Sequence, residues 1–416
     1  MRNLFIGLML LCVATCPVMA QNSCYSFDYQ QDAMRVNPGL SQIVQQVEQF
    51  IQTQGESTLP TQTTSTSRGK PVITIPVVVH VLYNKQSENV SDVQIKNLIE
   101  TLNLCYRRQH ADTIKTPSRF WKFSADTEIE FQLAISDPQR RATSGIVRKY
   151  SSKTQWDMDD KMKLSSQSGD DAWDPASYLN IWICNIRFVS GYSSFPGDAS
   201  VKDGIVLASG AMGKTIVHEV GHWLGLKHIW GDQYCGDDGV SDTPPQATGT
   251  PGCPSGIRLS CSNGPDGDMY MNYMDITQDA CVNMFTHGQK QRMLALFQPG
   301  GARYSLFASK GLTEPLYTEI PLPTDTAEPE PVQPTQALLY PNPAREDITL
   351  DLGNDQQWIG KIVNIANAQG LVVMQQSVKA KVQKIDISKL PAGMYFIIAK
   401  KEDGATIKQK FLKLRG

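Results

Sequence analysis

Residues 218 to 228 read His-Glu-Val-Gly-His-Trp-Leu-Gly-Leu-Lys-His, and no other stretch constrains the fold so tightly. Histidines four positions apart on a helix leave the same face, so His218 and His222 predict a helix with both imidazoles on one side. Gly225 can take a positive φ and stop that helix, after which the chain can turn back and bring in His228. Three neutral nitrogen ligands suit a tetrahedral Zn²⁺ and leave its fourth position open, the mark of a catalytic rather than a structural site. Glu219, one step round the helix, stands beside the metal and is placed to take a proton from a metal-activated water. His-Glu-x-x-His alone should arise by chance in roughly one chain in 20 of this length; the glycine and third histidine lower that to about one in 10,000. The chain has only six histidines, and half of them lie in this stretch. The pattern implies metal-dependent hydrolysis.

The surrounding chain sets the compartment. Arg2, the apolar run Leu4 to Met19 and the small-residue end Val18-Met19-Ala20 read as a secretory leader over residues 1–20. That run is short for a bilayer span, and no other segment approaches transmembrane length. A net charge of −2 argues against nucleic acid or another polyanion as partner. Cys235, Cys253, Cys261 and Cys281 fall in one Gly/Asp/Pro-rich stretch after the histidines. In an exported chain they read as two disulfides stapling a region poor in regular structure, with the pairing open. Cys184, in an apolar strand, reads as a buried thiol.

Residues 21–70 are polar and end in a low-complexity run, which suits a pro-segment or linker better than a core. A domain is expected over 71–306. It opens on the β-branched strand Ile73 to Tyr83, followed by a helix over Val93 to Tyr106 capped by Ser91, and by strands at 128–134, 178–188 and 203–208. Gly191 to Gly197 reads as a loop rather than a ladder. Mixed strands and helices followed by an irregular, cysteine-bearing half indicate an α/β upper subdomain over a loop-rich lower one. Residues 307–335 are rich in Pro, Thr and Glu and read as an extended linker, and 336–416 as a small β-sandwich.

Taken together, Ile75-Pro-Val-Val-Val-His, Gly145-Ile-Val-Arg, Leu179-Asn-Ile-Trp-Ile-Cys-Asn, the extended His218 motif, Asp242-Thr-Pro and Asn272-Tyr-Met-Asp resemble a metzincin metallopeptidase of the pappalysin type, over roughly residues 73 to 296. The resemblance implies an α/β (α+β) metzincin domain with a twisted mixed sheet, an active-site helix and an irregular lower subdomain. It also implies Met274 as the methionine turn beneath the zinc, and disulfides Cys235–Cys261 and Cys253–Cys281. Calcium is implied as a second cofactor, with Asp238, Asp242 and the carbonyls of Val240 and Thr243 as candidate ligands, hard oxygens on a tight loop. One departure stands out. The family usually carries a tyrosine two residues after the methionine, and here that position is Ile276.

Leu339-Tyr-Pro-Asn-Pro-Ala, Asn367-Ala-Gln-Gly, Ile385 to Tyr395 and Lys408 to Lys413 resemble the sorting domain of the type IX secretion system, an immunoglobulin-like β-sandwich. This implies that secretion machinery as a partner and a secreted or surface-attached product. A carbohydrate- or protein-binding module is the competing reading, with Trp358 as its one obvious aromatic platform. The expected function is a secreted zinc endopeptidase acting on protein and peptide substrates bound along the sheet edge near Val201 to Ala208. The competing class is a non-catalytic adhesin that keeps the fold. Cys24, near the mature N-terminus, is the candidate latency residue, since a thiolate is a good fourth zinc ligand. Activation is expected at Arg68-Gly69. Asp279 is the candidate acid for selecting a basic side chain after the cut.

Overall fold

The computed structural model describes residues 24–54, 65–67, 70–198, 200–317, 338–340, 344–352, 358–367, 371–400 and 406–414. The leader, the expected Arg68-Gly69 cut and residues 318–335 of the expected linker lie outside them. The chain divides into two units, Met1–Pro321 and Leu322–Gly416.

In the first unit, helices α1 (Ser26–Val36) and α2 (Pro38–Thr53) precede strands β1 (Ser65–Ser67) and β2 (Lys70–Tyr83). Then come α3 (Asp92–Tyr106), a short α4 (Ser118–Trp121), β3 (Ile129–Leu133), β4 (Ile146–Tyr150), β5 (Leu179–Cys184), β6 (Gly191–Ser193), β7 (Ile205–Ala208), α5 (Thr215–Trp223) and α6 (His287–Ala295). The seven strands form one sheet in the order β1-β2-β5-β7-β6, with β3 and β4 end to end along the other side of β2. Pairing is parallel except at β1 and β6. Every residue of β5 is buried, as expected for an inner parallel strand covered on both faces. One face packs on α3 and α5 around Val79, Ile181, Leu207 and Val220; the other carries Trp182, Tyr192 and Val206. α3 starts on a reciprocal cap, with Ser91 Oγ accepting from Gln94 N and Gln94 Oε1 accepting from Ser91 N.

Four readings of the sequence change here. Residues 26–53, taken as polar pro-segment or linker, are two helices. The stripe Leu40, Ile43, Val47, Ile51 holds α2 on the body, with Ile51 and Val47 joining the main core. Gly191 to Ser193 is a strand, because its main chain pairs antiparallel with β7. It is β6, not the 201–208 segment, that forms the sheet edge beside the histidines; β7 is flanked on both sides. The packed chain also runs past residue 307: Gly311 O accepts from Ile135 N, and Tyr317 O accepts from Ala142 N.

The second unit holds β8 (Leu338–Tyr340), β9 (Asp347–Asp351), β10 (Ile362–Asn367), β11 (Val372–Ser377), β12 (Val382–Asp386), β13 (Gly393–Lys400) and β14 (Thr406–Lys413). They form sheets ordered β11-β10-β13-β14 and β12-β9-β8 around Ile348, Leu350, Val363, Ile365, Ile397 and Phe411. This is a small β-sandwich. Trp358 belongs to that core and is 3% exposed, so it cannot serve as a surface platform.

Candidate active site

α5 is buried along its length from Ile216 to Trp223 and presents His218 and His222 on one face. Gly225, at φ 81°, ends it, and the turn that follows returns His228. A Cβ on Gly221 would run into Met274 Sδ, so a glycine between the two helical histidines lets the methionine pack directly beneath them.

Each ring is aimed by its outer nitrogen. His218 Nδ1 lies 2.7 Å from Tyr273 O and His222 Nδ1 2.8 Å from Leu226 O. His228 Nδ1 pairs with Asp232 Oδ1, and its ring stacks on Trp230 at 4.3 Å. Carbonyl and carboxylate oxygens only accept, so each Nδ1 donates and each Nε2 carries a lone pair. Those lone pairs converge: His218 Nε2 is 3.1 Å from His222 Nε2 and 3.3 Å from His228 Nε2. Cys24 Sγ lies 3.4 Å from His222 Nε2. The four donor atoms all fall within 4.8 Å of one another. Tetrahedral ligands with Zn–N bonds of about 2.0–2.1 Å stand about 3.3–3.4 Å apart, so spacing and donor chemistry fit Zn²⁺. Burial holds the two helical imidazoles neutral, pushing His218 down to about 3 and His222 well below its ordinary value, with the neighbouring rings adding to the effect.

Glu219 is fully buried beside the cluster. Its Oε2 accepts from Ser26 Oγ at 2.7 Å, with Cys24 Sγ at 3.7 Å, and its Oε1 has no protein partner. Burial pushes the carboxyl up to about 7. Burial, and then the charge of Glu219, push the Cys24 thiol up. Cys24 bridges to Gly191 of β6, and Tyr25 N donates to Gly191 O at 3.3 Å. Ser26 Oγ also accepts from Ser193 N at 2.9 Å. The N-terminal segment therefore lies along the sheet edge, over the histidines.

A cavity adjoins His218, lined by Lys214, Thr215, Tyr273, Ile276, Asp279 and Val282. Asp279 Oδ2 accepts from Lys214 N at 2.7 Å at the start of α5. Ile276 offers no hydroxyl, and the Tyr273 hydroxyl meets His110 Nε2 at 2.8 Å, away from the cluster. Cys235 is bonded to Cys261, and Cys253 to Cys281. Cys105 and Cys184 are buried free thiols.

The candidate calcium residues share one loop. Asp238 accepts from Thr243 Oγ1 at 2.9 Å and from Val240 N at 3.0 Å, and burial pushes its carboxyl up to about 7. Val240 O also accepts from Thr243 Oγ1. Asp242 Oδ2 accepts from Gly288 N at 2.9 Å, while its Oδ1 is buried without a protein partner.

Two residues here escaped the sequence. Asp232 stands four after His228, a spacing that would have signalled an orienting carboxylate. Ser26 carries no such signal, since a serine in a polar segment is unremarkable.

Residues 163–298 match the family model described as pregnancy-associated plasma protein-A, and residues 338–413 that of the secretion system C-terminal sorting domain. An extracellular metalloprotease of Pyricularia oryzae is 44% identical over 124 residues, 26% of this chain and 44% of that one. One of Neurospora crassa is 31% identical over 230 residues, 52% of this chain and 71% of that one. The chain spans about half the length of the first curated relatives it matches, between 44% and 53% of each. Among solved structures, Tannerella forsythia mature mirolysin in complex with a cleaved peptide is 42% identical at a TM-score of 0.55, covering 57% of this chain and 96% of that one. A promirolysin variant from the same organism is 38% identical at 0.63, covering 69% and 97%. The mixed sheet, the histidine cluster and these likenesses agree: the chain belongs to the pregnancy-associated plasma protein-A family of metzincin metallopeptidases and carries a C-terminal secretion sorting domain.

Proposed function

We propose that this chain is a secreted zinc endopeptidase, made latent by its own N-terminal segment. The observation that carries the reading is the convergence of three Nε2 atoms beside a buried carboxylate with an unpartnered oxygen. His218, His222 and His228 would hold Zn²⁺, which when bound lowers the pKa of water and polarises a carbonyl. Glu219 is the general base: with Ser26 gone, both its oxygens face the point where water and scissile carbonyl meet, and it returns the proton to the leaving amine. β6 offers Gly191 O and Ser193 N to a substrate main chain, as it now does to residues 24–26. Asp279, in the cavity next to His218, supports a preference for a basic side chain after the cut.

Latency is assigned to Cys24, whose Sγ stands where a fourth ligand belongs, and activation to cleavage near Arg68-Gly69, ahead of β2. The wider coverage of this chain by promirolysin than by mature mirolysin supports a pro-segment ahead of the catalytic domain, and the sorting-domain match at 338–413 supports a linker and sorting domain after it; a leader over residues 1–20 belongs to the same reading. Cys24→Ala should give a precursor that digests casein without processing; a variant as silent as wild type removes Cys24 from the account. Type IX machinery would recognise the C-terminal unit, and among the described residues no helix is long and apolar enough to cross a membrane. Calcium on Asp238 and Asp242 is supported by the unpartnered Asp242 Oδ1.

The deciding experiment is Glu219→Ala in the processed enzyme, with casein digestion followed with and without a chelator. Lost turnover with zinc retained supports the reading. Retained proteolysis overturns the role of Glu219, and a wild-type protein that cleaves nothing leaves the adhesin class instead.

A further inference from the structure

One turn into α1, Tyr29 leaves the cluster region and enters a socket behind β6. Its hydroxyl donates to Asp160 Oδ2 at 2.9 Å, and its ring packs on Tyr192 at 5.0 Å. Asp160 is held without help from Tyr29: Tyr192 OH donates to Oδ1 at 2.9 Å, and Lys163 Nζ and Lys202 Nζ lie at 3.0 and 3.2 Å. The Lys163 side chain is wholly buried, with its ammonium 5.1–5.4 Å from the rings of Tyr192, Tyr29 and Trp182. Such spacing is that of cation–π contact. Everything in the socket except Tyr29 belongs to the chain after β2. Removal of the N-terminal segment therefore leaves an aromatic wall and a fixed acceptor, Asp160 Oδ2, that has lost its phenol donor and keeps only Lys202 Nζ at 3.2 Å.

The socket also adjoins the cleft. Tyr192 lies between Gly191 and Ser193, the two residues whose main chain grips residues 24–26. From Ser26 to Tyr29 a helix rises only about 4.5 Å, a distance an extended peptide covers in about two residues. We propose that this socket is a recognition site for a tyrosine side chain of the protein substrate, masked in this chain by its own Tyr29. The assignment rests on the reading that the segment before β2 is cut away to expose a peptidase cleft. A phenol is selected because it supplies both the ring and a hydroxyl donor to Asp160 Oδ2, beside Lys202 Nζ. Phenylalanine fills the wall and forgoes the hydrogen bond to a charged oxygen, which should cost about tenfold or more in affinity.

The socket is tested without catalysis in the full chain carrying Tyr29→Ala, using p-cresol and toluene as probes in calorimetry and ligand-observed NMR. p-Cresol should bind this variant saturably and wild type not at all, and should exceed toluene by about tenfold. Asp160→Ala in the same background should erase the difference between the probes. No saturable p-cresol binding, or equal binding of toluene, overturns the phenol site even if the Asp160 variant does not fold. In a digest of a denatured proteome by processed wild type, tyrosine should exceed phenylalanine at one position within about four residues of the cut. Equal use of the two overturns the substrate role while the peptidase reading stands. Absence of all cleavage overturns the peptidase reading and the substrate role together, and the p-cresol result still decides the socket.

Discussion

The histidine cluster and the acidic loop at residues 238–243 carry the residue types of metal sites, and their donor atoms are arranged in opposite ways. In the cluster each Nδ1 is engaged by a carbonyl or carboxylate, which leaves three Nε2 lone pairs facing one another at 3.1–3.3 Å. Such an array repels itself unless a cation lies among the nitrogens. In the loop, Asp238, Val240 O and one oxygen of Asp242 are satisfied by Thr243 Oγ1 and by backbone N–H groups. Among the candidate side-chain oxygens, Asp242 Oδ1 is left over. The first arrangement is fixed in advance for an ion. The second is largely engaged within the protein and leaves an ion one free carboxylate oxygen.

That contrast can be broken at several points. Glu219→Ala should lower kcat by about 10²–10⁴-fold while metal analysis still finds one zinc per chain; loss of the zinc would show that the cluster is less self-supporting than its hydrogen bonds indicate. Asp232→Ala should weaken zinc affinity by about 10–100-fold in competition with a chromophoric chelator, because the His228 ring loses its anchor. Unchanged affinity would mean that stacking on Trp230 alone aims the ring. Gly221→Ala should cost about 1–3 kcal/mol in thermal unfolding, since Met274 must move aside; an unchanged midpoint would show a pliable floor. Calcium should give the smallest effect. At a concentration equal to its Kd the gain is about 0.4 kcal/mol, or roughly 1 °C, and should vanish in Asp242→Ala. A shift of many degrees would reverse the ranking of the two sites.

How much was legible depended on whether a residue's type or its partner carried the information. The three histidines and Glu219 announce their chemistry by type and spacing, and α3 by its Ser91 cap and apolar stripe. Asp232 acts only through His228, where the spacing of four is its one signal, and Ser26 acts only through Glu219 and could not be found without the contact. β6 was hidden because three residues in a Gly- and Pro-containing stretch become a strand only when β7 supplies the ladder. α1 and α2 were hidden by polar composition: the thin stripe from Leu40 to Ile51 means little until the body it covers is known. Trp358 looked like a surface platform because a lone aromatic in a polar stretch gives no sign of which way it faces, and the sandwich core claims it.

The two disulfides have a consequence for when the site can assemble. Both fall in the irregular stretch that follows His228, and Cys281 lies just beyond the turn bearing Met274. Inside a reducing cell these four sulfurs stay as thiols, and the floor under the histidines keeps the freedom of an unlinked loop. It is drawn together only after the chain has left the cytoplasm. A chain held in a reducing compartment would therefore lack both covalent ties across residues 235–281.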